Sequence, residues 1–415
     1  MVSHFDYLCL VIWRTSLRYF CFFLTTQAAF AEVPTEERLR DFNILTENII
    51  QRYKPPGIAI AIVTPKQILS LKTAGVRRLG GSEAINEDTI FRIASVSKAC
   101  TSAVVAQLVA QGRIDIEDPV LHYLPGMQIA NYTHTQKLKL KHLLSHTTGL
   151  PAYSLEHEAY RRQDFGVLIK SLKSVRAVNT PGKEHQYQNV LYSLLGPVVE
   201  NVTQTSFTDY LRESLLEPLG ISCYALNEHA YASCGNMAYP HLRSRCDVTS
   251  LDNYYRVHES SSYYDNILPA AGMGFSIKDT ATLLQAFMGG HPNVLNVKIL
   301  EKFYAPVVFV SKGTRRCKKR RCKCRKYVTE HFGLGWRIKY LKGRPIIYHG
   351  GLVDGYTARI AFSEEEHLGI AILTNANNSL PRRLTSLFFQ MLFDKNYHKL
   401  DWENWVSRKF RRYAD

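Results

Sequence analysis

The chain has 415 residues, 46% of them hydrophobic and 21% charged, with a formal net charge of +16 at pH 7. That balance excludes intrinsic disorder and supplies enough apolar residues for a sizeable core and two lobes. The charge is local: residues 312–326, KGTRRCKKRRCKCRK, hold ten Lys or Arg and no acid, so the rest of the chain is only mildly basic.

In chain order, residues 1–31 read as an export signal. Arg14 and Arg18 precede YFCFFLTTQAAF, and Ala29-Phe30-Ala31 stands just before the polar EVPTEERLR, which predicts cleavage after Ala31 and a periplasmic or secreted protein. The apolar stretch after Arg18 is shorter than the roughly 20 residues a spanning helix needs. Of the nine cysteines, Cys9 and Cys21 leave with the leader and seven remain. In an oxidising compartment Cys223, Cys234 and Cys246 are near enough in sequence to pair, Cys317, Cys322 and Cys324 form a second group, and Cys100 reads as a free, buried thiol.

Leu39, Phe42, Leu45, Ile49 and Ile50 recur at helical spacing within residues 35–53. GIAIAIV and ILSLKTAGV follow as two strands joined by a turn at Pro65-Lys66. A helix is predicted from Ser95 to about Gln111, stopped by Gly112, and the chain stays mostly helical to about residue 240. After residue 270 come a helix around DTATLLQAFM, the strands GLGWRIKYL, PIIYHGG, GYTARIAFS and LGIAILTNA, and a helix at 380–393. Strands at both ends with helices between them predict an α+β fold. Its α/β lobe comes from residues 35–94 and 265–395, a mostly helical lobe from 95–264, and a tail from 396–415.

FRIASVSKACTSAV, residues 91–104, offers two serines and a lysine. Ser95 lies one helical turn before Lys98, so the two share a face, while Ser97 points elsewhere. A lysine in an apolar cleft or near a second cation loses proton affinity and can activate a hydroxyl. Ser95 could equally cap the helix. In HQYQNVLYSLLG, Tyr187 can protonate a leaving group, and Asn189 can orient substrate or lysine. In IIYHGGLVDGYTA, Gly350 and Gly351 permit close backbone approach of a substrate, and His349 can donate a hydrogen bond or carry charge.

The order and spacing of these motifs resemble the serine β-lactamase and penicillin-binding-protein family, especially its class C-like branch, over nearly the whole chain beyond residue 35. LKLKHLLSHTTGLP, AAGMGFSIKDTATLLQAF and FGLGWRI resemble further landmarks of that family. The resemblance implies a β-lactamase/transpeptidase-like fold with an antiparallel sheet flanked by helices, with residues 32–395 as the catalytic domain. Ser95 would be the acylated nucleophile, Lys98 its activating partner and Tyr187 the proton shuttle. Asn189, His349, Gly350, Gly351 and Leu352 would line the substrate site, and the backbone N–H groups of Ser95 and Leu352 would form the oxyanion hole. His349 stands where the family commonly places a lysine that grips a substrate carboxylate, which puts efficient β-lactam hydrolysis in doubt.

The expected function is therefore an exported serine hydrolase acting through an acyl-serine on D-alanyl peptides, β-lactams or related amides and esters, with no cofactor and no metal. A carboxylesterase of the same fold and a non-catalytic cleft-binding sensor or scaffold are the alternatives. The basic run is expected to be a surface loop suited to anionic surfaces. Zinc binding by Cys317, Cys322, Cys324 and His331 departs from usual spacings, and nucleic acid is not an expected partner.

Overall fold

A computed structural model describes residues 35–243, 255–258, 262–313 and 328–410. The predicted leader, Cys246 and the Cys317, Cys322 and Cys324 group lie outside the described residues.

Eight strands form one antiparallel sheet: β1 (Gly57–Val63), β2 (Ile68–Gly75), β3 (Val308–Gly313), β4 (Val328–Phe332), β5 (Arg337–Leu341), β6 (Arg344–Val353), β7 (Tyr356–Ser363) and β8 (Leu368–Thr374). Their order is β2-β1-β8-β7-β6-β5-β4-β3. β1 pairs with β8 from Ile58↔Thr374 to Val63↔Gly369, so the two ends of the chain close one sheet, as expected from sequence. The composition of β1 shows why both faces are covered. Ile58, Ile60 and Ile62 join the cluster under α1 (Thr35–Tyr53) and the C-terminal helices, whereas Ala59, Ala61 and Val63 join the larger core on the other face. Alternation sends bulky side chains one way and small ones the other.

The helical lobe begins with α2 (Ser97–Ala110), buried from Ser97 through Leu108. A helix enclosed on all sides needs no polar stripe, and SKACTSAVVAQLVA has none. The lobe also contains the short α3 (Glu156–Tyr160). α4 (Ile277–Phe287) packs against β1 and β8. α5 spans Val297–Tyr304, and α6 (Leu380–Phe393) returns to the opposite face against α1.

Several expectations change. β3 and β4 add two strands, not among those predicted, that bracket residues 314–327; both belong to the sheet's far edge. Their apolar alternation is too short and too interrupted by Lys, Glu and His to stand out. Residues beyond 395 are not all tail, because α7 (Trp402–Phe410) follows and Tyr397 and Trp402 are buried in the cluster with α1. Cys223 and Cys234 are free thiols rather than a pair, and Cys100 is free and buried as expected. Among the described residues, no helix is long and apolar enough to cross a membrane.

Candidate active site

From Thr89 to Leu108 every residue is buried except Ser95, which is partly exposed. Ser95 does not cap α2. It sits in a tight 3₁₀ turn, Ala94–Val96, that feeds the helix. Ala94 is left-handed, with φ of 51°, a conformation that costs a non-glycine residue on the order of 1 kcal/mol and persists only where the surroundings enforce it. Two contacts enforce it here. Ser97 Oγ donates to the Ala94 carbonyl at 2.7 Å and accepts the Met273 N–H at 3.1 Å. Gly351 on β6 lies so close that a Cβ there would meet the Ala94 Cβ at 3.0 Å and press harder still on the Ile93 carbonyl oxygen. Ser97 is therefore structural, and Ser95 is the serine left facing the cleft.

Tyr187 Oη donates to Ser95 Oγ at 2.9 Å, and Lys98 Nζ stands 3.4 Å from the same oxygen. Lys98 is fully buried; its Nζ donates to Asn189 Oδ1 at 2.6 Å and to the Ala270 carbonyl at 2.8 Å. Burial holds the amine well below its usual range; Glu156 opposes that shift and Arg337 adds to it. Burial pushes the Tyr187 phenol up, so it keeps its proton at neutral pH. A neutral amine has two N–H bonds and one lone pair. In that form Asn189 and Ala270 take the two N–H groups, which leaves the lone pair for the Ser95 hydroxyl.

Asn189 lies at the lysine, and its Nδ2 also donates to Glu156 Oε1 at 2.7 Å. One N–H and one lone pair of the amide are left over from these two bonds.

The glycine pair also departs from expectation. Gly351 makes room for the nucleophile turn of the protein itself, not for a substrate backbone. His349 is buried, and its Nδ1–H donates to the Gly350 carbonyl at 3.0 Å. Burial, with Lys98 and Arg337 nearby, keeps the imidazole well below its usual range, so it is neutral and cannot supply charge. Positive charge at this strand comes from elsewhere. Arg359 on β7 faces Gly350 across the ladder, with Nη1 3.4 Å from where a Gly350 Cβ would stand. Its guanidinium stacks 4.2 Å from the Tyr348 ring centroid. Arg337 on β5 lies 5.7 Å from the Tyr187 ring centroid and pairs with Glu330 at 2.7 Å.

The oxyanion-hole expectation can be read from register. Pairing of β5 with β6 begins at Arg337↔Tyr348, so His349 through Val353 have no partner on that side. Val353↔Tyr356 closes a two-residue turn in which Gly355 has φ of 78°. The residues flanking such a turn exchange hydrogen bonds, and the next pair outward does not. Leu352 N–H therefore points to the free edge, and the residue is 64% exposed at the lip. Ser95 N–H, in the first turn of its helix, has no intrahelical acceptor.

Glu156, Arg337 and Arg359 carry no signal in sequence, since each is one charged residue among many, at a short helix start or in a strand. His146 is likewise enclosed, 4.3 Å from Tyr187 between ring centroids. Among the described residues, no group of three or more His, Cys, Asp or Glu side chains could hold a metal ion.

The Beta-lactamase family model matches residues 42–391. The chain is 22% identical to Protein flp of Staphylococcus aureus (strain COL) over 366 residues, covering 88% of this chain and 68% of that protein. It is 24% identical to the unguisins hydrolase ungD' of Aspergillus campestris over 389 residues, covering 89% and 68% respectively. In structure it resembles the octameric penicillin-binding protein homologue from Pyrococcus abyssi, with a TM-score of 0.72 at 22% identity over 87% of this chain and 78% of the other. SurE is similar with a TM-score of 0.67 at 19% identity, over 88% and 77%.

Proposed function

This chain belongs to the β-lactamase family, and from that premise we propose that it is a serine hydrolase acting through an acyl-Ser95 intermediate. The observation that carries this reading is the convergence of Tyr187 Oη and Lys98 Nζ on the hydroxyl of Ser95, the one accessible residue in a buried stretch. Lys98, whose hold on a proton burial weakens, accepts the Ser95 proton as Oγ attacks the carbonyl. The N–H groups of Ser95 and Leu352 hold the developing oxyanion. Tyr187 gives its proton to the departing amine or alkoxide and recovers one from Lys98, whose Nζ lies 4.8 Å from its ring centroid. Water then attacks the ester, and the serine regains its proton.

Within this chemistry the favoured substrates end in a carboxylate, as D-alanyl peptides do. The supporting observation is Arg359 behind Gly350, with Arg337 beyond Tyr187, where a guanidinium can meet a carboxylate. Neutral esters are the second reading, favoured by the uncharged His349.

Exposure to a fluorophosphonate and a labelled penicillin, followed by peptide mapping, tests the mechanism. Adduct is expected on Ser95 and absent in Ser95→Ala; adduct elsewhere, or none, overturns it. Turnover of a D-alanyl-D-alanine peptide, a chromogenic cephalosporin and a nitrophenyl ester then separates the substrates. Arg359→Leu is expected to impair the peptide and spare the ester.

We also propose export, on the leader-like residues 1–31 alone. N-terminal sequencing of the mature protein is expected to begin at Glu32.

A further inference from the structure

Asn189 joins two groups that sequence gives no reason to connect. Its Oδ1 accepts from Lys98 Nζ at 2.6 Å, and its Nδ2 donates to Glu156 Oε1 at 2.7 Å. A carboxylate only accepts hydrogen bonds. Reversing the amide would set Oδ1 against the Glu156 carboxylate and Nδ2 against the N–H groups of Lys98, two repulsions in place of two hydrogen bonds. Glu156 thus decides which end of Asn189 faces the lysine.

We propose that Glu156 is a positioning residue: through Asn189 it holds Lys98 on Ser95, and its charge steadies the ammonium that forms when Lys98 takes the serine proton. This rests on the acyl-transfer reading of Ser95.

The backbone is arranged to deliver that carboxylate. Tyr153 and Leu155 are both left-handed, each with φ of 59°, and Leu155 immediately precedes Glu156 at the start of α3. Two such non-glycine residues within three positions are uncommon and mark a loop held by its surroundings. The hold is visible: Tyr153 N–H donates to the Tyr187 carbonyl at 2.8 Å, fastening this loop to the segment that carries the proton shuttle. Glu156, Tyr187 and Asn189 are thereby placed as one unit.

The surroundings of Lys98 explain why a carboxylate is needed. Arg337 approaches from β5, buried His146 and His349 from the helical lobe and β6, and the rings of Tyr187 and Tyr192 at 4.8 and 5.4 Å. The histidines are neutral, the phenols protonated, and Arg337 opposes a positive lysine. Glu156 supplies the opposing negative charge. A nearby opposite charge moves a titration by about 1–3 pH units, and with one amide between the two groups the lower end of that span applies.

The test compares wild type, Glu156→Gln and Glu156→Ala as full-length proteins, with melting temperature as the check on folding. Two readouts are followed against pH: the rate of fluorophosphonate labelling at Ser95, and the titration of Lys98 by NMR of ¹³Cε-lysine protein, assigned by loss of its signal in Lys98→Arg. Glu156→Gln keeps an acceptor for Asn189 and removes the charge. It is expected to move the Lys98 titration and the acid limb of labelling down by about one pH unit and to lower the plateau rate about tenfold. Glu156→Ala, which also frees the amide, is expected to be slower still.

Identical Lys98 titration in wild type and Glu156→Gln overturns the proposal, whatever happens to the rates. If Ser95 is not labelled even in wild type, the acyl-transfer reading fails, and the Lys98 titration alone decides whether Glu156 governs the lysine.

Discussion

Replacing Gly351 by alanine tests whether β6 positions the nucleophile by direct contact. A Cβ at Gly351 would stand 3.0 Å from the Ala94 Cβ and 3.1 Å from the Ile93 carbonyl carbon. Carbon atoms in contact sit about 3.5–4.0 Å apart, and the Ile93 carbonyl oxygen is closer than either carbon, so the strand and the turn must separate by roughly 1 Å or more. No side-chain rotation relieves the clash, because the neighbours are backbone or a Cβ. Ala94 is already left-handed and has little room to yield. Overpacking of this kind costs about 1–3 kcal/mol, and misplacing a reacting atom by about 1 Å costs on the order of 10²-fold in rate. Gly351→Ala is therefore expected to remain folded, with a melting temperature lower by a few degrees, and to slow fluorophosphonate labelling of Ser95 about 10²-fold. Gly350→Ala is the control, since its Cβ would meet the end of a flexible side chain, Arg359 Nη1, at 3.4 Å and the Ala358 carbonyl oxygen at an ordinary 3.9 Å. Labelling of Gly351→Ala at the wild-type rate, or equal losses in the two variants, would refute the reasoning.

Tyr187→Phe removes the hydroxyl that donates to Ser95 and keeps the ring. Loss of a general acid costs about 10²–10⁴-fold, so amide turnover is expected to fall by that factor while a nitrophenyl ester, whose leaving group needs no proton, loses far less; equal losses would rule out the proton-shuttle role. Stability is expected to fall on acidification from about pH 6.5. Burial lowers His142 and His185 to about 4, and His146 and His349 well below the usual range. A base with a depressed folded-state pKa leaves the unfolded chain binding more protons as pH falls below about 6.5, so stability is complete above that pH and is lost towards 4. Each such proton contributes up to about 1.4 kcal/mol per pH unit. Calorimetry between pH 7 and 4.5 checks this, and a melting temperature that stays flat between 6.5 and 5 would contradict it.

Sequence periodicity revealed the elements whose burial is regular. α1, β1 and α6 each repeat an apolar side chain at the spacing their geometry requires, and their bounds follow closely. It did not reveal β3 and β4, where edge positions carry Lys, Glu and His among few apolar residues. At the site, Ser95 and Lys98 were legible because one helical turn joins them, and Tyr187 because its segment resembles a known one. Glu156 and Arg359 were not. Their roles arise from packing of distant segments: Glu156 meets Asn189 through a strained loop, and Arg359 meets Gly350 through strand register. A local pattern cannot encode such neighbours. Nor could it show that Gly351 serves the turn beneath it, since a glycine looks the same whether backbone or ligand fills the space.

The distribution of charge around β6 has a consequence for the base. Successive residues of a strand point to opposite faces, so His349 faces the layer containing Lys98, while Gly350 and its partner Arg359 belong to the other face. Arg337 bears on Lys98, but Arg359 is not among the groups that shift it. Arg359 can therefore attract a carboxylate without making Lys98 harder to protonate, and the neutral His349 adds no charge on the side where it would. His349→Lys reverses this economy by placing a second ammonium toward Lys98. A like charge at close range moves a titration by about one unit or more, so the Lys98 titration is expected to drop further and Ser95 labelling to slow about tenfold. The comparison is made at matched folded fraction, because a buried ammonium also destabilises the chain. Faster labelling in His349→Lys would show that charge at this position assists the nucleophile, and the division between His349 and Arg359 would then have to be abandoned.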